Sequence, residues 1–473
     1  ARLLADAKPA LSAAAVRESA RTPGVRRSCV LLRAARGRLL IDFLGSGFEA
    51  RGWEVGSCFA SEKDNYLRSR MHTALRLLLR SLRRMPSLPP FDILFCPDDC
   101  PPALNGRAGV RPALTSISCA QHRSLPFVDW ITRSNGAADL AEWDEQMARQ
   151  WGTPVQWADR AKKAVFRGHL RTYSYCGGWP SAAARYRETI TPANWKTTGR
   201  AALWAERAEH PFLFDVNFNN HKAMAEAWGL SADEAAARDE PNSLSMEEQV
   251  RRFRYVVHAE GACSSADRLK QSLGAPALLL KQASPCTEWF EEMFSPWEHY
   301  VPVDGSFANV SEAVTWARTH DADAQRIVGA ANARARDVLS VGAIYAYADE
   351  LVKGYATAYA ADAYAPDDGG FTHEFSCDYC AESTSCALRN RSQAVAVGGC
   401  AEARTPPTRA LGGAALPPDG ESSRRWWWVV AGGAASLFMP GPICISAIVA
   451  YVAYRRRPWR YGFNPLVVLN DLD

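Results

Sequence analysis

The segment 254–270 (RYVVHAEGACSSADRLK) constrains the fold of this chain more than any other segment. Its β-branched and aromatic half predicts a strand that ends at Glu260 and Gly261, and a short polar stretch then leads into a helix. Arg268 and Lys270 lie in the first turn of that helix. A strand, a tight turn and a helix N-terminus with two cations suit a diphosphate group. The segment therefore predicts a sheet edge that binds a nucleotide-bearing ligand.

Strand-like and helical patterns alternate along much of the chain. Strand-like runs occur near 29–33, 38–43, 91–95, 113–118, 163–166, 254–259 and 276–281, and helical patterns at 70–84, 137–151, 199–208 and 311–359. Alternation of this kind favours an α/β fold with parallel sheets. A chain of 473 residues is also longer than one hydrophobic core usually supports. We therefore expect two globular α/β units.

The composition is that of a folded protein and excludes a nucleic-acid-binding class. Apolar residues make up 47% of the chain and charged residues 22%, and the net charge is only +4. So small a net charge on so long a chain does not attract a polyanion. The most basic cluster, residues 77–84, has its leucines at helical spacing, which predicts an amphipathic surface helix.

The C-terminal part of the sequence differs sharply from the rest. Residues 426–454 carry no charge, begin with three tryptophans and are followed by Arg455, Arg456 and Arg457. This pattern predicts a single transmembrane helix, with the short tail cytosolic and the large domain lumenal. We expect a membrane protein of the endoplasmic reticulum or Golgi. The expected order is a mobile lead-in (1–27), a globular body (28–364), a Cys-, Gly- and Pro-rich stalk (365–425), the membrane helix and a tail (455–473).

The cysteine content agrees with a lumenal location. Of thirteen cysteines, Cys444 lies in the predicted span, and the other twelve are able to pair in an oxidising compartment, although the sequence does not specify the pairs. Cys377, Cys380 and Cys386 follow His373 at spacings that match no complete zinc motif. We therefore predict disulfides there and no metal site.

Polar residues follow three predicted strands, where ligands of α/β sheets gather. Asp99 follows the run 91–95, and its carboxylate suits either a general base or a turn-capping role. Arg167 and Gly168 end the run 163–166, with Thr172 behind them. The Arg167 guanidinium suits either a phosphate contact or a salt bridge. The third group lies between 260 and 270 and comprises Gly261, Ser265, Arg268 and Lys270.

These groups resemble glycosyltransferase family 90, which includes protein O-glucosyltransferases. The matching words are Phe166-Arg-Gly168, Glu260-Gly261 with Ser265 and Arg268-Leu-Lys270, Leu280-Lys-Gln282, Glu288-Trp-Phe290, and the run from Pro296 to Pro302 (PWEHYVP). The last run is the most specific of them. The words occur in the family's order, and the resemblance covers roughly residues 28–360.

The resemblance implies a two-lobed, GT-B-like enzyme with Rossmann-like lobes. The acceptor-side lobe would occupy 28–160 and the nucleotide-sugar lobe 161–364. The implied reaction is metal-independent, inverting transfer of a sugar, glucose or xylose, from a UDP-sugar to a hydroxyl of a protein or glycan. No cofactor beyond the UDP-sugar is implied.

The resemblance also assigns roles to the polar residues. Asp99, in the word Asp99-Cys-Pro101, would act as general base, and Arg167 and Arg268 would neutralise the diphosphate leaving group. The remaining expected donor-site residues are Gly168, Thr172, Gly261, Ser265 and Lys270. An alternative is a catalytically inactive family member that binds a nucleotide sugar or glycan. We expect Trp297 and His299 to pack rather than to touch sugar, and Asp321 to carry first-turn helix charge.

Overall fold

The fold is described from a computed structural model. The structure describes residues 11–21, 29–44, 66–96, 113–119, 124–128, 143–145, 147–148, 155–170, 173–174, 188–189, 191–219, 244–260, 267–284, 286–359, 371, 373–380 and 383–390. The helices are α1 Ala13–Ala20, α2 Tyr66–Arg84, α3 Gly199–Glu209, α4 Met246–Arg252, α5 Asp267–Gly274, α6 Val310–Thr319, α7 Asp321–Val338 and α8 Val341–Ala358.

The strands belong to two larger sheets and two short pairs. They are β1 Val30–Ala35, β2 Arg38–Asp42, β3 Phe91–Cys96, β4 Ala113–Thr115, β5 Ser118–Cys119, β6 Leu125–Pro126, β7 Ala161–Gly168, β8 Tyr173–Ser174, β9 Glu188–Thr189, β10 Phe214–Phe218, β11 Phe253–His258, β12 Leu278–Gln282, β13 Cys286–Thr287, β14 Val301–Val303, β15 His373–Cys380 and β16 Ser383–Asn390. The short pairs are β5 with β13 and β8 with β9.

The first sheet is mixed, in the strand order β16-β15-β2-β1-β3-β4-β6. Strand β1 runs antiparallel to both β2 and β3, whereas β3, β4 and β6 are parallel. Arg36 and Gly37 connect β1 to β2, and both have positive φ angles of 49° and 73°. A two-residue turn with positive φ at both positions matches the twist of the two strands of a hairpin. The expectation of parallel strands therefore holds for only part of this sheet.

A hairpin from the far end of the described chain completes the first sheet. Strands β15 and β16 pair antiparallel, and His373, Glu374 and Phe375 of β15 pair with β2. This hairpin lies within the segment 365–425, for which the sequence predicts an irregular stalk. Cys377 and Cys386 occupy opposite positions in its register. Part of that segment thus adds two strands to the first sheet.

The second sheet is fully parallel, in the order β10-β7-β11-β12-β14. Strands β10 and β11 are buried throughout, β12 is buried except at Lys281, and β7 is buried from Ala164 to Arg167, as is usual when helices cover both faces of a parallel sheet. Phe166, Tyr255 and Leu280 contribute to the apolar cluster on one face. The predicted α/β fold with a parallel sheet is confirmed here, and the GT-B-like assignment of both lobes stays a prediction.

The core of the first sheet is closed by helices from distant parts of the sequence. The leucines of α2, including Leu75, Leu78 and Leu82, are buried, while Arg80 pairs with Asp349 of α8 at 3.1 Å. The predicted amphipathic helix is confirmed. Helix α8 belongs to the same apolar cluster, and the Tyr355 hydroxyl donates to the main-chain oxygen of Asp92 at 3.2 Å.

A buried ion pair and a disulfide stabilise the middle of the first sheet. Arg33 of β1 donates to both carboxylate oxygens of Asp92 on β3, at 2.8 and 3.2 Å. Cys29 and Cys96, at the neighbouring ends of β1 and β3, form a disulfide. Cys286 is also disulfide-bonded. At least these cysteines pair, as the sequence analysis expects.

The part of the chain that the structure describes contains neither a membrane-spanning helix nor a metal-binding cluster. No helix there is both long and apolar enough to cross a bilayer. The predicted span 426–454 and the segments 1–10 and 455–473 lie outside the described residues. No group of three or more His, Cys, Asp or Glu side chains within those same ranges is placed to hold a metal ion.

Candidate functional site

The candidate site lies at the carboxyl ends of β7 and β11. In the second sheet, the chain goes from β7 to its neighbour β10 on one side. It then continues on the other side of β7 through β11, β12 and β14. The connections therefore leave β7 and β11 toward opposite sides and open a crevice between these two strand ends. Three segments singled out from the sequence, at 166–168, 258–260 and 280–282, end at this edge.

Arg167 is buried at the end of β7 and bonded to Asp215. Its Nη2 donates to Oδ1 of Asp215 on the neighbouring strand β10, and its Nη1 donates to the main-chain oxygen of Asp215 at 2.7 Å. Of the two roles that the sequence allows, the structure shows a salt bridge, and it is a buried one. The guanidinium therefore links the carboxyl end of β7 to the first half of β10.

Arg268, in the first turn of α5, reaches the end of β7. Its Nη1 donates to the main-chain oxygen of Arg167, and its guanidinium carbon lies 4.9 Å from the centroid of the Phe166 ring. The side chain is partly exposed. The predicted pair of Arg167 and Arg268 therefore meets in space, and Arg268 places a cation at the rim of the crevice.

Arg200 is a second cation at the same place, and it was not predicted from the sequence. It lies in the first turn of α3, which begins at Gly199 with a φ of 55°. Its Nη1 donates to the main-chain oxygen of His169 at 2.9 Å and its Nη2 to that of Ala259 at 3.3 Å. Arg200 thus spans the ends of β7 and β11. The signal was a basic residue in the first turn of a predicted helix, as for Arg268.

Phe166 and Gly168 shape the floor between these cations. The guanidinium carbon of Arg200 lies 5.3 Å from the centroid of the Phe166 ring that Arg268 also covers. A Cβ atom added to Gly168 would lie 3.0 Å from that ring, closer than ordinary van der Waals contact. A larger side chain at 168 would therefore displace the ring that lies beneath both guanidinium groups by a few tenths of an ångström.

Lys270 lies on α5 but is engaged elsewhere. Its Nζ donates to Oε2 of Glu288, both side chains are buried, and Nζ lies 5.2 Å from the centroid of the Phe290 ring. The matched word Glu288-Trp-Phe290 thus supplies the partners of Lys270. Of the predicted donor-site cations, Lys270 is the one whose observed contacts lie away from the β7 end.

The matched word Leu280-Lys-Gln282 bonds the residues that follow β11 and β14. Oε1 of Gln282 accepts from the main-chain nitrogen of Glu260 at 2.8 Å, and Nε2 donates to the main-chain oxygen of Gly305 at 2.6 Å. Lys281 pairs with Glu291 at 2.9 Å. Burial lowers the pKa of Lys281, but Glu291 and weaker neighbours outweigh it, so the pKa lies above the ordinary 10.5.

His258 ends β11 in the middle of this edge. Only 2% of its surface is exposed, and neither ring nitrogen has a hydrogen-bond partner. Burial is the main reason that its pKa lies well below the ordinary 6.5, and the charges of Lys281, Arg268 and Arg200 lower it further. The imidazole is therefore neutral near pH 7. No sequence pattern predicted a role for this residue.

The remaining residues that the sequence analysis named have packing roles or lie outside the described ranges. Trp297 has a φ of 63° and meets Trp316 edge to face at 5.0 Å, and Nδ1 of His299 accepts from the main-chain nitrogen of Ser295 at 2.9 Å. Asp321 lies in the first turn of α7, as expected. The predicted residues outside the described ranges are Asp99, Thr172, Gly261 and Ser265.

Comparison with known proteins agrees with the predicted resemblance. The family model described as "Glycosyl transferase family 90" matches residues 173–397, which include α3, α5 and most of the second sheet. Protein O-glucosyltransferase 3 of Homo sapiens is 32% identical over 105 residues, or 22% of this chain and 20% of that protein. Protein O-glucosyltransferase 2 of Danio rerio is 29% identical over 105 residues, 22% of this chain and 21% of that protein.

The aligned segment therefore spans about a fifth of the length of these curated relatives. Among solved structures, Anabaena Alr3699/HepE in complex with UDP-glucose matches with a TM-score of 0.28 at 12% identity, over 46% of this chain and 56% of that chain. The family model matches these residues, in agreement with the predicted resemblance.

Proposed function

We propose that this chain, whose residues 173–397 match glycosyl transferase family 90, transfers a sugar from a UDP-sugar to a hydroxyl of a protein or glycan. The sugar we propose is glucose or xylose, and the reaction inverts the anomeric centre without a metal ion. The fold we propose for the whole body is GT-B-like. The family match and the curated relatives named protein O-glucosyltransferase support this assignment.

The observation that carries the proposal is the pair of cations at the carboxyl ends of β7 and β11. Arg200 and Arg268 belong to the first turns of two helices, and main-chain oxygens of His169, Ala259 and Arg167 hold their guanidinium groups. Groups fixed in this way need no reorganisation when negative charge develops on a leaving diphosphate. Two guanidinium groups supply the charge that a divalent metal supplies in other transferases.

The other residues receive roles from the same arrangement. We assign Asp99 the role of general base for the acceptor hydroxyl, and Thr172, Gly261 and Ser265 polar contacts to the donor. Arg167 acts as a positioning residue, because its guanidinium binds Asp215 while its main-chain oxygen holds Arg268. Lys270 stabilises α5 through Glu288. Gly168 leaves room for the Phe166 ring.

A second candidate function is a binding module that holds a nucleotide sugar or glycan without turnover. The observation that favours it is that Arg167 and Lys270, two residues expected at the donor, form buried ion pairs with Asp215 and Glu288. In this case the protein would bind the donor without releasing UDP, and substitution of Asp99 would change neither donor binding nor UDP release.

A donor screen with the full chain separates the two functions. UDP-glucose, UDP-xylose and UDP-galactose are incubated with a mixture of folded protein and glycan acceptors, and UDP release is followed with and without a chelator. We expect release from at least one donor, unaffected by the chelator and abolished by Asp99→Asn, which retains donor binding. Release that stops in chelator contradicts the metal-free mechanism, and binding without release favours the binding module.

We also propose that the protein is anchored in the endoplasmic reticulum or Golgi membrane with its globular part lumenal. The uncharged segment 426–454 and the disulfide between Cys29 and Cys96 support this location. Protease protection of the full chain in sealed microsomes tests it. Digestion of the globular part without detergent contradicts it.

A further inference from the structure

His258 occupies the centre of a polar row across the second sheet. It lies opposite Lys281 of β12 in the parallel register. On its other side, Val256 lies opposite Val165 of β7, so that His258 and Arg167 are both two residues further along their strands. Alternate residues of a strand share a face. Arg167, His258 and Lys281 therefore lie side by side on one face, at the edge where the crevice opens.

The two neighbours of His258 have partners, but His258 has none among the described residues. Arg167 binds Asp215 and Lys281 binds Glu291, whereas both imidazole nitrogens of His258 are buried without a hydrogen bond. A buried polar group without a partner is destabilising, and such groups are uncommon in native proteins. An apolar side chain at 258 would avoid that cost. A ligand that supplies the missing partner accounts for the histidine.

The charges around His258 indicate what kind of ligand this is. Arg200, Arg268 and Lys281 all lie near enough to disfavour a charged imidazole. Cations gathered at a strand edge favour an anionic ligand. A neutral imidazole adds an N–H donor to such a site without adding a positive charge that Arg200, Arg268 and Lys281 would repel. Phosphate oxygens accept this kind of hydrogen bond.

We propose that His258 donates a hydrogen bond to a phosphate oxygen of the nucleoside diphosphate bound between the ends of β7 and β11. This inference rests on the proposed function, because it assumes that a nucleotide sugar occupies the crevice. It adds a residue that neither the family resemblance nor the sequence patterns select. His258 is then a donor-binding residue beside Arg200 and Arg268.

Calorimetric titration of the full chain with UDP-glucose, UDP and uridine tests the proposal. The variants are His258→Phe, which removes the donor, and His258→Gln, which keeps one. His320→Phe, at the end of α6, is the control, since its ring contacts Thr319 and Trp316. We expect His258→Phe to weaken UDP-glucose and UDP binding about tenfold, the worth of one hydrogen bond to a charged group, and to leave uridine binding unchanged.

The outcomes separate this inference from the function on which it rests. His258→Gln and His320→Phe should bind all three ligands as the wild type does. If His258→Phe fails to fold, His258→Met replaces it with the same expectation. Wild-type affinity for UDP in the apolar variant overturns the role of His258 and leaves the proposed function standing. A wild-type chain that binds neither UDP-glucose nor UDP overturns both.

Discussion

The guanidinium of Arg268 donates a hydrogen bond to the main-chain oxygen of Arg167, which fastens the first turn of α5 to the carboxyl end of β7. The guanidinium of Arg167 is itself bonded to Asp215 on β10. Arg167 therefore links β7 to β10, and Arg268 presents its charge at the carboxyl end of β7. The family word Phe166-Arg-Gly168 contributes to the site chiefly through its backbone and its ring.

Replacing Gly168 by alanine should disturb the ring beneath the two cations. The new Cβ would lie 3.0 Å from the Phe166 ring, so that the ring has to move. We expect a loss of about 1–3 kcal/mol in the free energy of unfolding, as for other overpacked sites, and weaker UDP-glucose binding. Urea denaturation and calorimetry measure the two effects.

Gly329→Ala is the matched control for Gly168→Ala. Gly329 lies in α7, and a Cβ there would meet nothing within 4 Å. Helix propensity alone should then stabilise the protein, by up to about 1 kcal/mol, with unchanged donor affinity. Equal effects of the two alanines would contradict the account of Gly168.

Removing the charge of Asp215 should destabilise the second sheet. Asp215→Asn leaves the Arg167 guanidinium buried without its counter-ion, which typically costs about 3–5 kcal/mol. Glu247→Gln, which removes the exposed partner of Arg251, should change the free energy of unfolding by less than about 0.5 kcal/mol. Urea denaturation compares them, and a stable Asp215→Asn variant would show that the ion pair is dispensable.

The low pKa of His258 predicts a pH dependence of stability. In the folded state the ring stays neutral, whereas in the unfolded state it takes up a proton as the pH falls through about 6.5. The unfolded state then binds more protons, so stability is lost on acidification. When the pH falls from 7.5 to 5.5, the free energy of unfolding of the wild type should decrease by about 1 kcal/mol more than that of His258→Gln. Equal losses in urea denaturation would contradict the prediction.

The strands of the second sheet and some of the residues at their carboxyl ends were predictable from the sequence, because they depend on local residue patterns. Buried β-branched runs followed by Gly168 and by Glu260 indicated parallel strands, and the first turn of α5 indicated Arg268. The buried partners were not predictable in this way. Asp215 follows Arg167 by 48 residues, and only the pairing of β10 with β7 brings the two together.

The first sheet was harder to predict for a related reason. Strands β15 and β16 lie in a segment that is rich in Cys, Gly and Pro, where the short alternation of Phe375, Cys377 and Tyr379 with polar residues was overlooked. The two strands pair with each other, and β15 also pairs with β2. Arg200 escaped notice because its contacts to His169 and Ala259 join loops that are far apart in sequence. Long-range contacts of this kind leave little trace in residue patterns.

The rate of UDP release from UDP-glucose by Arg268→Gln tests the central claim most directly. The account predicts a fall in kcat/KM of roughly a hundredfold, the usual effect of removing one donor that stabilises a developing anion, in a variant that remains folded. Arg326→Gln, which removes an exposed arginine of α7, should stay within about twofold of the wild type. A folded Arg268→Gln variant that releases UDP at the wild-type rate would contradict the claim.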